Sequence, residues 1–412
     1  MKSRNAHRAS SAAIAACAAL AAGAAFAEPA LAGVGSEGAG SADAGGLSVQ
    51  GSSTSSLALW EDRGYALFPK GSAARYAGSF RADLRAEAGG LSRCAFEGSI
   101  AIDAASGKSS FAIRELWAES RPAPALSVRA GRQRLGFGSG FGWNPSNDLD
   151  SRRDASDPTA ARAGADAFQL RIEAGDFVGF PLSLTAVCLL PAFAPGIDIS
   201  DAKLGTQAYA LLGPLEVMAT LSASGSGDEG QAWLAGGWAT LGLGPVVLGL
   251  EIAARKRADL FRPAAGGLPA ADREVHAAAT GTATLRAGDF VIVAEAAWDD
   301  AALAREELEA ILSSPARASW IPALLVPGAV GDLHSLVRAS WSSGDWSAAA
   351  GGIVDLRSLA FVASAEASVS IQGSASARIR ASIPGRAALL ERDELGLLGR
   401  GWSADASISV YF

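Results

Sequence analysis

The sequence predicts an all-β protein, an antiparallel transmembrane barrel of about 18 strands (range roughly 16–18), with short turns at one end and longer loops at the other. Three observations predict it. Apolar and polar residues alternate with period two along most of the chain. The connections between the alternating runs are short and long in turn. Beyond the N-terminus, no stretch has the ~20 consecutive apolar residues that a membrane helix needs. A chain with an apolar face on each strand and no such helix can span a bilayer only as a closed ring of strands.

The N-terminus reads as an export signal. Lys2, Arg4 and Arg8 form a basic start, an Ala-rich apolar run follows to Phe26, and Ala25-Phe26-Ala27 places small residues before Glu28. Residues 1–27 are therefore read as a cleaved signal peptide, 28–46 as a linker and 47–412 as the barrel. Ile14-Ala15-Ala16-Cys17 loosely matches a lipidation motif, but the apolar run continues well past Cys17, which favours simple cleavage.

Alternating runs follow at 47–60, 74–88, 91–104, 109–120, 124–135, 165–175, 181–190, 203–212, 214–224, 231–242, 245–255, 273–286, 289–298, 333–342, 345–355, 359–371, 374–383 and 401–412. Their length, near ten residues, suits a tilted membrane strand. In the second run Phe80, Ala82 and Leu84 alternate with Arg81, Asp83 and Arg85, charges that suit a wet interior. Around Arg114-Glu115 the alternation changes face, the mark of a β-bulge. Gly89-Gly90, Gly213-Pro214, Gly242–Gly244, Ala287-Gly288, Gly344 and Gln372-Gly373 are short turns. The longer loops are 61–73, 136–164, 191–202, 256–272, 299–332 and 384–400. Trp60, Trp298 and Trp402 fall at loop ends, and Trp117, Trp341 and Trp346 at turn ends, as two interfacial girdles require. Asp299–Ser314 reads as a short helix stiffening its loop.

Composition narrows the function. The chain has 412 residues, a net charge of −7 and 19% charged residues, with no basic block, which excludes nucleic acid as a partner. Cys94 and Cys188 sit in strand-like runs, as small hydrophobes or as a pair. His276 and His334 stand apart from one another and from any ligand cluster, so neither a metal site nor a cofactor is expected. No nucleophile elbow, P-loop or metalloprotease helix motif is present, so the chain is not expected to be an enzyme.

One stretch resembles a known family. Gly131-Arg132-Gln133-Arg134, then Gly136, Gly138 and Gly140, then Trp143-Asn144-Pro145 and Gly164-Ala165-Asp166-Ala167-Phe168 are similar to a segment of porin-like bacterial outer-membrane proteins. Glu115-Leu116-Trp117 stands where that family has an acidic-aromatic strand, and Phe137 stands where many relatives have Trp. The closing run Ser407–Phe412 resembles the C-terminal signal that the barrel-assembly machinery reads, with Phe412 as its last residue. The resemblance implies an outer-membrane location, contact with lipid, and a channel for passive diffusion of small hydrophilic solutes. It also implies that the third outer loop, 136–164, folds inward and narrows the pore.

The residues of that loop fit either role open to it, constriction or solvated surface. Its glycines relieve steric limits, Asn144-Pro145 starts a turn, and Asp148, Asp150, Arg152, Arg153, Asp154, Asp157 and Arg162 crowd it with charge. With Arg81, Asp83 and Arg85 these are the candidate pore residues. Arg132 and Arg134 share parity with Leu126 and Val128, so either they lie at the rim or a bulge redirects them. The rival function is a structural or adhesive surface protein whose barrel is only an anchor.

Overall fold

The computed structural model of the chain describes residues 47–62, 73–88, 92–103, 108–149, 164–190, 202–224, 232–256, 275–302, 332–357, 359–371, 375–385 and 400–411. Eighteen strands are formed: β1 Leu47–Asp62, β2 Ala73–Ala88, β3 Ser92–Asp103, β4 Lys108–Ala123, β5 Leu126–Gln133, β6 Ala165–Glu173, β7 Leu182–Leu189, β8 Lys203–Leu212, β9 Leu215–Ser224, β10 Ala232–Leu243, β11 Val246–Lys256, β12 His276–Ala287, β13 Phe290–Asp299, β14 Leu333–Ser343, β15 Trp346–Asp355, β16 Phe361–Ile371, β17 Ala375–Gly385 and β18 Arg400–Tyr411. They fall on the alternating runs, with ends shifted by at most three residues. The signal peptide, the linker, Phe412 and most of the long loops lie outside the described residues, as does most of the helix read at Asp299–Ser314.

Each strand pairs antiparallel with its sequence neighbours, and β18 pairs back onto β1, Thr54 opposite Ser409. The sheet is a closed ring without a free edge, so every strand finds ladder partners on both sides. Gly213-Pro214, Gly244-Pro245, Gly288-Asp289 and Gly344-Asp345 close hairpins at one end of it. Each of these glycines has φ between +57° and +64°. Where proline follows, its fixed negative φ makes the turn type II′. Among the described connections at that end, β6–β7 departs from the tight-turn pattern, with one helical turn, α1 (Gly175–Val178), inserted there.

The faces sort opposite to those of a soluble protein. Phe111, Leu184, Leu221, Ile252, Val337, Ile379 and Ile408 are all exposed on the outside, while Glu119, Glu251, His276, Thr280, Glu295 and Asp355 are buried on the inside. Soluble proteins bury the first set and expose the second. Cys94 and Cys188, both free, lie on the outward parity of β3 and β7.

Two details correct or complete the sequence reading. The register between β3 and β4 shifts at Glu97/Gly98, with Arg114 as the extra residue, which is the bulge read at Arg114-Glu115. Trp117 does not join a girdle. That bulge brings it to the inward face, where the Arg129 guanidinium lies 4.1 Å from its ring centre. Trp298, Trp346 and Trp402 are exposed at the rims, and Trp341 packs against Phe290. Trp60 stands opposite Ser403 on β18.

Candidate functional site

The strand pair β5–β6 is where the chain leaves the ring and re-enters it. Gly131 has φ +120°, and a Cβ there would lie 2.2 Å from the Leu116 carbonyl, so the bend in β5 requires glycine. Arg132 stays on the outward face. It donates through Nε and Nη2 to the two oxygens of Asp166 at 2.9 and 2.7 Å, and through Nη1 to the Ile113 carbonyl at 3.2 Å. Gln133 is fully buried and donates to the Ala167 carbonyl at 3.2 Å. Beyond the strand end Arg134 turns inward and reaches Glu97 at 2.7 Å. The alternatives left open for the two arginines thus split between them, one outward and paired, the other redirected inward. Gly164 closes the excursion, its amide on the Arg114 carbonyl at 2.9 Å.

The segment that follows, here called L3 (134–164), crosses the interior of the ring as far as residue 149, the last described before Gly164. Leu135, Phe137 and Leu149 form an apolar cluster with Ala167 and Val187 on β6 and β7. Gly205 on β8 admits Leu149, because a Cβ at 205 would lie 2.3 Å from it. Farther on, the amides of Ser139 and Gly140 donate to Glu251 Oε2 at 3.1 and 3.2 Å. The amides of Gly142 and Trp143 donate to Glu295 Oε1 at 3.0 and 2.7 Å, and that of Phe141 to Oε2 at 2.5 Å. Phe141 and Trp143 pack on Leu336 and Ile353 of β14 and β15, and Trp143 stacks on His334 with ring centres 5.7 Å apart.

The return limb is built by a turn. Asn144 and Pro145 open it, closed by the Asn147 amide on the Asn144 carbonyl at 3.1 Å. It presents Ser146, whose amide and hydroxyl both reach Glu251 Oε1, at 2.8 and 2.7 Å. Asn147 donates to the Phe137 carbonyl at 2.9 Å and ties the two limbs together. Asp148 then meets Lys203 at 2.6 Å and the Ser222 hydroxyl at 2.7 Å.

Glu251 and Glu295 are only 1% and 2% exposed. Desolvating a carboxylate costs several kcal/mol. Charge-assisted hydrogen bonds, each about 1.5–3 kcal/mol, offset that cost only if several converge on the group, as they do here.

The rest of the wall divides by chemistry. On β3–β6, Glu97 pairs with Arg114, and Glu119 with Arg121 and Arg129. Arg129, Arg134, Gln169 and Arg171 line a cavity of about 340 Å³ there. On β14–β18, Arg338 pairs with Glu366 across Gly351, and the register sets Glu366, Arg380 and Asp405 side by side. Around them hydroxyls pair: Ser347 with Ser368 at 2.6 Å, Ser382 with Ser403 at 2.6 Å, and Thr54 with Ser409 at 2.8 Å.

Of the residues singled out from the sequence, Asp148 on L3 binds the lumen wall at Lys203 and Ser222, and Gly131, Arg132, Gln133, Trp143, Asn144 and Pro145 shape or anchor L3. The register sets Arg81, Asp83 and Arg85 opposite Thr54, Ser52 and Gln50. Asp150, Arg152, Arg153, Asp154, Asp157 and Arg162 lie outside the described residues. Sequence reasoning missed Glu251, Glu295, Lys203 and Arg338. For the two glutamates a signal existed: each is the single acidic residue within an otherwise apolar stretch, Val246–Ala254 and Phe290–Trp298. Among the described residues no group of three or more His, Cys, Asp and Glu side chains could hold a metal ion.

A ring of eighteen strands with an inward loop and a polar interior defines the barrel class to which porins belong. No family model matches the chain, and no curated protein matches it in sequence. In fold it is similar to OccK5 (OpdH) of Pseudomonas aeruginosa, with TM-score 0.52 and 12% identity over 88% of this chain and 98% of that one. It is also similar to OccK8 (OprE) of Pseudomonas aeruginosa, with TM-score 0.52 and 10% identity over 89% and 98%. A BenF-like porin from Pseudomonas fluorescens Pf-5 gives TM-score 0.51 and 12% identity over 88% and 98%. The likeness extends over nearly the whole of each of those chains and establishes the fold.

Proposed function

We propose that the chain is an outer-membrane channel through which small hydrophilic solutes diffuse passively, with L3 narrowing its lumen. The observation that carries this reading is the loop itself. A segment tied by main-chain hydrogen bonds to Glu251 and Glu295, inside a ring that is apolar outside and polar inside, is placed to restrict a water path. An adhesive anchor has no need of such a strap. The outward belt fits contact with lipid hydrocarbon. A cleaved signal peptide at 1–27 and the closing run Ser407–Phe412 as the sequence signal for the assembly machinery complete the export route. The chemistry asked of the protein is passage, with no catalytic step.

Planar-bilayer recording tests this. Refolded protein should give discrete conductance steps, and liposomes carrying it should swell in small sugars and stop swelling above a size limit. A barrel that shows heat-modifiable gel mobility yet conducts nothing overturns the channel and leaves the anchor.

A further inference from the structure

We propose that Glu251 and Glu295 set the width of the channel by holding L3 against the wall through its main-chain amides. The inference rests on the channel reading and names the residues that determine its aperture. The two carboxylates divide the work. Glu251 on β11 binds the outgoing limb at Ser139 and Gly140 and the returning limb at Ser146. It therefore fixes the place where the strap doubles back. Glu295 on β13, which also accepts from the Thr282 hydroxyl at 3.2 Å, binds only the tip, Phe141 to Trp143.

Successive amides pointing one way form an anion-binding concavity, and here the anion is supplied by the wall itself. Such a hold reads backbone, not side chains, apart from the Ser139 and Ser146 hydroxyls. The wall beside Glu251 is polar too. The register puts Trp238 and Thr280 directly opposite it on β10 and β12, and Trp238 Nε1 and Thr280 Oγ1 are buried without a hydrogen-bond partner among the described residues. Among the described residues, the loop's apolar clusters lie at the base, with Leu135, Phe137 and Leu149, and at the tip, on Leu336 and Ile353.

Glutamine is isosteric with glutamate but replaces one accepting oxygen with an N–H donor aimed at amide donors. Glu251→Gln should free both limbs and Glu295→Gln the tip alone. The test uses the full-length protein and each variant, with heat-modifiable mobility confirming that the ring has formed. Two readouts are taken: single-channel conductance, and chymotrypsin cleavage after Phe141 or Trp143, identified by fragment mass. Glu251→Gln is expected to raise conductance by about twofold or more and to open L3 to cleavage, with Glu295→Gln giving a smaller rise. Folded variants with wild-type conductance and a protected L3 overturn the proposal. If the wild-type ring folds but does not conduct, the channel reading falls, and cleavage alone then decides whether the carboxylates hold the loop.

Discussion

At the scale of single residues, the outward face carries an ion pair where hydrocarbon is expected. Arg132 and Asp166 share two short hydrogen bonds, and the Asp166 side chain is 5% exposed against 36% for Arg132. Removing either partner strands a charge on the apolar surface. Asp166→Ala should therefore destabilise the barrel by about 1–3 kcal/mol, as should Arg132→Ala, with the larger values applying nearer mid-bilayer. The double substitution to leucine should restore most of the loss, because it removes both charges together. Urea unfolding of protein inserted into phospholipid vesicles measures all three, and additive losses in the double variant would show that the pair is not coupled. Gly131→Ala meets a harder limit. Its Cβ would collide with the Leu116 carbonyl and φ would be +120°, so folded yield should drop sharply, read as loss of the heat-modifiable band.

At the scale of elements, L3 is one continuous strap with three attachments: an apolar base on β6 and β7, polar holds on β11 and β13, and an aromatic tip on β14 and β15. Its return limb has a separate tether, Asp148 to Lys203 and Ser222. Lys203→Ala removes the cation but leaves the Ser222 hydroxyl. It should increase current noise with little change in mean conductance, since Leu149 still seats at Gly205. Gly205→Val fills that seat and should push the limb into the lumen, lowering conductance in the same recordings. Much of this element was legible in sequence. The glycines from Gly136 to Gly142 announced sharp backbone turns, and Asn144-Pro145 announced the turn that reverses the strap. Where the loop went was not legible, because its holds lie more than a hundred residues away on β11 and β13. A main-chain amide leaves no mark in the sequence that names its partner.

At the scale of the whole molecule, the ring is closed by β1 on β18, through a register running from Ser52–Tyr411 to Asp62–Arg400. Deleting residues 400–412 would leave β1 and β17 with unpaired edges inside hydrocarbon, each buried amide or carbonyl costing several kcal/mol. The truncated chain should fail to form any heat-resistant, protease-protected barrel, an all-or-none outcome that distinguishes ring closure from local stabilisation. Alternation with period two fixed which residues face out, since a strand gives a side chain only two directions and the solvents on either side are opposites. Glycines at the short connections, among them Gly213, Gly244, Gly288 and Gly344, located the turns, since each takes a positive φ that other residues rarely adopt. Those are local constraints, and the sequence by itself determined them: eighteen strands, their polarity and the rhythm of their connections. The tertiary structure alone decided that Arg132 faces outward with Asp166 while Arg134 turns inward, that Trp117 lies beneath Arg129 in the lumen, and that L3 rests on Glu251 and Glu295. Each of those depends on a bulge, a strand end or a contact across the ring, and such distances exist only once the ring has closed.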